Sequence, residues 1–260
     1  MSMTDREIAE ELRERLRAGD WAAGQPLPPE HELAGGDGAA GRLALAALAA
    51  EGLVERRPDG RFVARSPRRR VLRSNERHQW EKDRARQSHQ VRAGTGVTER
   101  DTGLTMDDLV FSASYHEAVA DRALAEAFGV PEGTALVERV YRTRYGRESA
   151  PFNLTSSFLV RARVAGNPAL LDETREPWPG GTHHQLRTVG IELARIEEEV
   201  TEVGPALGAE AEALGVSPGA PVIRLSQRSV ATDGSTVELS RITLPADRTR
   251  LRFVTRLDPW

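Results

Sequence analysis

Residues 8–34, IAEELRERLRAGDWAAGQPLPPEHELA, and residues 44–64, ALAALAAEGLVERRPDGRFVA, decide how the first quarter of this chain folds. Ile8, Leu12 and Leu16 recur at i, i+4 and i+8, which places one apolar stripe along an amphipathic helix. Thr4 or Asp5 can cap it and Gly19 ends it. Residues 24–29 form a proline-rich turn, and 30–34 a brief helix. Gly35, Gly36 and Gly38 follow, with Gly41 close behind. Each interior glycine costs a helix about 1 kcal/mol, so no stable helix is predicted through 35–38. Helical spacing returns over 42–51, with Leu43, Leu45 and Leu48 among alanines, and stops at Gly52. Residues 53–57 and 61–64 predict two short strands joined by the turn Pro58-Asp59-Gly60. Three helices and a small hairpin outline a winged helix–turn–helix, assigned to residues 1–65.

Beyond it, residues 66–104 are polar, basic and without regular apolar spacing, and predict a linker or irregular arm. The remainder alternates. Strands are predicted over 109–113, 135–145, 150–158, 194–203, 222–231, 235–245 and 251–255. Helices are predicted over 118–128, 167–172, 181–189 and 206–214. Strands outnumber helices and are joined mainly by hairpins. The fold class is therefore α+β, with a mixed, largely antiparallel sheet domain over 105–257. Phe128-Gly129-Val130-Pro131-Glu132-Gly133 is echoed 86 residues later by Leu214-Gly215-Val216-Ser217-Pro218-Gly219. Each follows an alanine-rich helix and leads into a strand. The echo suggests two similar halves about a pseudo-twofold, with a cleft between them as the natural ligand site.

The chain has 260 residues, no cysteine and a net charge of −3. Zero cysteine excludes disulfides, thiol nucleophiles and thiolate metal sites. No apolar run approaches the roughly 20 residues that span a bilayer, and the N-terminus lacks an apolar leader core, so a cytoplasmic location and no membrane partner are expected. The mild net charge does not exclude nucleic acid, because residues 56–86 carry 12 basic and four acidic side chains. His183, His184 and His116 have no metal-ligand spacing, the glycine run at 35–41 lacks the ending of a phosphate loop, and no nucleophile motif is present. No metal, no cofactor and no catalytic residue are expected.

The order of these motifs resembles the GntR family of bacterial transcriptional regulators, in its HutC-like branch. The head is carried by the two segments quoted above. The C-terminal part is similar to the family's UTRA effector-binding domain, of chorismate lyase-like fold, through ALAEAFGVPEGTALVERVYR, ALGVSPGAPVIRLSQRSVATDGSTVELSR and LPADRTRLRF. RSNERHQWEKDRAR resembles the arm that follows the wing in actinobacterial members. The resemblance implies a ligand-responsive regulator, a repressor by expectation. It would be a homodimer on double-stranded DNA, with a small effector, expected to be anionic, in the C-terminal domain. A dimeric small-molecule sensor without specific DNA binding is the alternative. A small-acid lyase on the same fold is a more remote one.

The chain departs from the family in its reading head. The family carries about three more residues and a Ser-Arg pair before the recognition helix, where this chain has Asp37 and Gly38, and only Arg42 remains basic. A carboxylate there repels phosphate, and short side chains cannot reach base edges. The DNA contacts implied are Arg42, the wing residues Arg56, Arg57 and Arg61, and the arm residues Arg68, Arg69 and Arg70. For the effector, the family's R-x-R strand motif falls on Arg142 and Arg144, whose forks suit a phosphate or carboxylate. Its hydroxyl position after the long loop falls on Thr182 and His184. Thr155 stands where the family carries a glutamate, and Glu238 and Ser240 match its E-x-[ST]-R strand.

Overall fold

Thr4 starts the first helix, α1 (Asp5–Ala18), through a reciprocal cap: its hydroxyl accepts from the Glu7 amide at 3.3 Å, while the Glu7 carboxylate accepts from the Thr4 amide at 2.9 Å. Gly19, at φ 88°, ends it in the left-handed conformation that glycine adopts without penalty. The computed structural model describes residues 3–22, 24–34, 38–65 and 69–258. Asp37 and Arg68 therefore lie outside the described residues. Helices α2 (Glu30–Ala34) and α3 (Ala39–Ala50) complete the trio. Ile8, Leu12, Leu45 and Leu48 form their buried core. Helix α3 begins three residues earlier than its apolar spacing predicted and includes Gly41. That glycine is the price of a tight crossing: a Cβ there would stand 2.3 Å from the Glu30 carbonyl oxygen. Strands β1 (Val54–Arg56) and β2 (Phe62–Ala64) pair antiparallel as the wing.

The segment expected as an irregular linker is folded. It holds β3 (Val71–Ser74), α4 (Glu76–Ala85), α5 (His89–Ala93) and α6 (Val97–Thr102). Apolar spacing missed them because polar side chains, not an apolar stripe, fasten them. Arg69 donates to the Thr102 carbonyl at 3.1 Å, Arg77 pairs with Asp101 at 3.0 Å, and Lys82 donates to the Leu193 carbonyl at 2.6 Å.

The rest of the chain runs β4 (Leu109–Val119), α7 (Arg122–Phe128), β5 (Ala135–Tyr145), β6 (Asn153–Val160), α8 (Arg161–Val164), α9 (Gly181–Arg187), β7 (Leu193–Pro205), α10 (Gly208–Leu214), β8 (Pro221–Ala231), β9 (Thr236–Pro245) and β10 (Thr249–Arg252). Six strands form one antiparallel sheet in the order β4-β5-β6-β9-β8-β7. The fold is α+β, as expected. The remaining pair is parallel: β10 returns beside β3, so the last strand of the chain grips the arm.

That strand order is symmetric about the β6–β9 pair, and each half has the plan strand, helix, strand, strand. The echo in sequence is an echo in hydrogen bonding. Ala120 and Gly133–Thr134 exchange bonds of 2.9 and 2.8 Å, and Ala206 and Gly219–Ala220 exchange two of 2.8 Å. Gly129 and Gly215 cap the two helices at φ 66° and 57°. Strand β4 is longer than predicted, since its exposed edge alternates weakly. It runs to Val119, where a helix was expected from 118, and Asp121 caps α7 only afterwards.

Candidate effector-binding site

A cavity of about 590 Å³ lies on the face of the sheet where the two halves meet. One wall is the sheet: Tyr141 and Thr143 of β5, Thr155 and Ser157 of β6, Ser229 of β8, and Glu238 and Ser240 of β9. The other is the arm, with Arg73, Trp80, Arg84, Arg92 and Val97 among its contributors. The size falls within the range of small-molecule sites.

Alternation along β5 decides which side chains reach it. Successive strand residues point to opposite faces, so Arg139, Tyr141 and Thr143 turn toward the cavity side. Arg142 and Arg144, expected as the effector's anion ligands, face away. Arg142 is exposed, and Arg144 donates to the carbonyls of Gly146 and Glu148 at 3.2 and 3.1 Å. This corrects the sequence expectation. His184 is also turned from the cavity and accepts from the Trp178 indole N–H at 2.9 Å. Its neighbour His183 lines the cavity, and burial lowers its pKa. Thr155, Thr182, Glu238 and Ser240 all line the cavity.

Beneath the cavity the structure adds residues that motif reading passed over. Arg139 is fully buried, and donates to Gln185 Oε1 at 2.7 Å, Ser157 Oγ at 3.0 Å and Glu238 Oε1 at 2.8 Å. Glu238 also accepts from the Ser157 and Ser229 hydroxyls at 2.5 and 3.1 Å. Burial opposes the Arg139 charge, but Tyr141 and Glu238 beside it outweigh that and raise its pKa. Glu176 is held by neutral donors: the hydroxyls of Tyr115 and Tyr141 at 2.6 and 2.9 Å, Gln185 Nε2 at 2.8 Å and the Trp178 amide at 2.7 Å. Burial, with Glu176 alongside, pushes the Tyr115 phenol up to about 12 and raises that of Tyr141 as well, so both remain hydrogen-bond donors. The signal for Arg139 was available in period-2 counting along 135–145; Glu176 and Gln185 come from loop and short helix, where no periodicity announces them.

Comparison with known proteins agrees with this architecture. Residues 4–63 match the gntR family of bacterial regulatory proteins, and residues 112–250 match the UTRA domain. The chain belongs to the GntR family. Among relatives of this GntR protein, an uncharacterized HTH-type transcriptional regulator of Rhizobium meliloti is 30% identical over 256 residues, 96% of this chain and 94% of the relative. Another, of Streptomyces coelicolor, is 28% identical over 244 residues, 90% and 86% of the two chains. The crystal structure of PhnF from Mycobacterium smegmatis shares the fold at 22% identity and a TM-score of 0.54, covering 96% of this chain and 100% of that one. The two matched spans leave out residues 64–111, which include the arm that walls the cavity.

On the DNA side of this GntR regulator, Arg42 is exposed on α3, and Arg56, Arg57 and Arg61 are exposed on the wing. Arg61 is partly committed, pairing with Asp59 at 3.0 Å. Arg69 and Arg70, also expected at DNA, are both exposed; the Arg69 side chain donates to the Thr102 carbonyl, and its own carbonyl accepts from Arg248 at 3.0 Å. Among the described residues no helix is long and apolar enough to cross a membrane.

Proposed function

We propose that this GntR regulator is a cytoplasmic homodimeric repressor that releases double-stranded DNA when a small, anionic effector enters the cavity. One observation carries the reading: β3 and α4, which follow the wing in the chain, also form a wall of the cavity. A ligand there touches the segment that carries the reading head, so differential contact with the arm can shift the head's position. Arg42, Arg56, Arg57, Arg61 and Arg70 are the proposed DNA contacts, and Thr155, Thr182, Glu238 and Ser240 the proposed polar contacts to effector. Binding rather than turnover is favoured because Glu238 and Glu176 each already accept from three or more hydrogen-bond donors, so neither is poised as a free acid or base.

A second reading, a sensor that has lost specific DNA recognition, is favoured by α3 itself. Its outward face offers Leu43, Ala46, Ala47 and Ala50 beside Arg42. Selection of genomic fragments with the purified protein at two salt concentrations separates the two. The regulator is expected to enrich a two-fold-symmetric site at both; sequence-blind retention that vanishes at the higher salt overturns it.

A further inference from the structure

We infer that Arg84 and Arg92, both on the arm, form an anion-binding subsite of the cavity. The subsite reads a carboxylate, phosphate or sulfonate on an otherwise apolar ligand. It rests on the reading of the cavity as the effector site.

The arm lines the cavity with four arginines, and they fall into two kinds. Arg73 pairs with Glu198 and Arg77 with Asp101, so their charges are matched. Arg84 and Arg92, among the described residues, form no ion pair and are held by neutral carbonyls. Arg84 donates from Nε to Thr95 at 3.0 Å and from Nη2 to Val91. Arg92 donates from Nε to Pro179 at 3.2 Å and from Nη1 to Gln87 at 2.5 Å. Each keeps one terminal nitrogen, Nη1 of Arg84 and Nη2 of Arg92, with no protein acceptor among the described residues.

None of the carboxylates that line the cavity pairs with Arg84 or Arg92 among the described residues. Glu238 faces Arg139, Glu99 accepts from the Gly96 amide at 2.8 Å, and Glu176 is held by the neutral donors described above, while Glu81 pairs with neither arginine among the described residues. Two guanidinium groups at the arm wall therefore have no paired carboxylate, while backbone acceptors fix their direction. Such preorganisation lowers the entropy cost of gripping an anion, and charge-assisted bonds supply strength.

The surroundings are built to admit these side chains. The Arg92 stem passes so close to Gly180 that a Cβ there would meet its Cδ at 2.6 Å. The Arg84 guanidinium lies 5.4 Å from the Trp80 ring centroid. Trp80, Phe111, Phe152 and Trp178 supply apolar lining. The ligand class is an amphipathic organic anion with an aromatic or branched apolar body. The subsite replaces the strand arginines Arg142 and Arg144, which face away, and it places the ligand's charge on α4 and α5.

The test uses two fluorescent probes with the same aromatic body on the full-length protein. One is 8-anilinonaphthalene-1-sulfonate, the other the uncharged N-phenyl-1-naphthylamine. Wild type is expected to bind the sulfonate roughly tenfold more tightly than the neutral probe, about 1.4 kcal/mol. Arg84→Gln/Arg92→Gln is expected to erase that preference while leaving the neutral probe's affinity in place, and Arg84→Lys/Arg92→Lys to restore part of it. Equal binding of the two probes by wild type, absence of sulfonate binding, or an undiminished preference in the glutamine variant overturns the subsite. The wild-type comparison stands whether or not the variants fold. Duplex retention is measured separately. Sulfonate preference without retention of any duplex keeps the subsite and rejects the regulatory reading.

Discussion

The reading head and the sheet domain use polar side chains in opposite ways. On the outward face of α3, Arg42 stands beside Leu43, 60% exposed, and the small side chains of Ala46, Ala47 and Ala50. Under the cavity, Arg139, Glu238, Ser157, Gln185 and Ser229 are all buried and joined by hydrogen bonds. Base edges are read by hydrogen bonds and by apolar contact with methyl groups, and a face with one long polar side chain discriminates few base pairs. A buried network, by contrast, fixes the shape and donor pattern of the surface above it. On the proposed reading, the contrast concentrates chemical selectivity at the effector side and leaves DNA attachment mainly to wing charge.

The sharpest way to break the comparison is to attack the network. Glu238→Ala leaves Arg139 buried without its carboxylate partner. Removing one member of a buried pair costs about 3–5 kcal/mol. Denaturant unfolding followed separately at the head and the sheet domain is expected to show that loss in the sheet domain alone. An unchanged midpoint there would mean that the network does not organise the cavity.

Next in size is an acid effect on the arm. Arg73 and His78 both contact Glu198, His78 at 2.9 Å. Burial works against the Glu198 charge, but the His78 hydrogen bond and the Arg73 charge hold its pKa down to about 2. A carboxylate lowered in the folded state stabilises fully above its ordinary value near 4.5 and loses that contribution as pH falls toward 2. Docking of the arm on β7 and β8 is expected to weaken by about 2–3 kcal/mol across that window. Amide exchange in β3 and α4 measures it. Glu198→Gln should remove the acid-dependent step, and persistence of that step would assign it to another group.

How much was legible in sequence follows the same division. In the head, Ile8 and Leu12 at helical spacing, with Thr4 and Gly19 as punctuation, located α1, and Leu45 and Leu48 located most of α3, because local patterning and packing agree there. The two halves of the sheet were legible from two glycine caps 86 residues apart. The arm was not, since Arg69, Arg77, Lys82 and Arg92 fasten it through scattered polar contacts that leave no period. Thr155, Thr182, Glu238 and Ser240, singled out by their motif positions, all line the cavity. Arg142 and Arg144 were misplaced by one residue of strand parity, which is enough to turn a side chain to the other face.

Smaller effects test the head itself. Arg42 is the long polar side chain on the reading face. Arg42→Ala is expected to cost about 1–3 kcal/mol on the selected DNA and to relax preference at one position. Competition among duplexes that differ at single positions measures this. Preferences that survive intact would shift recognition to the wing or to duplex shape.

The smallest effect separates two wing arginines that look alike in sequence. Arg57 is exposed, and among the described residues no carboxylate pairs with it. Arg61 already pairs with Asp59, whose carboxylate also accepts the Arg61 amide at 3.0 Å and is lowered in pKa chiefly by that backbone bond. A phosphate contact made by Arg57 releases a counterion, so Arg57→Ala should reduce the slope of log affinity against log salt by about 0.9 on every duplex alike. Arg61 must give up Asp59 before it can neutralise a phosphate, so Arg61→Ala should change the slope less. Asp59→Ala should then raise the contribution of Arg61 toward that of Arg57. Equal slopes for Arg57→Ala and Arg61→Ala would mean that the Asp59 pair opens without cost on DNA, and that the wing behaves as a uniform patch of charge.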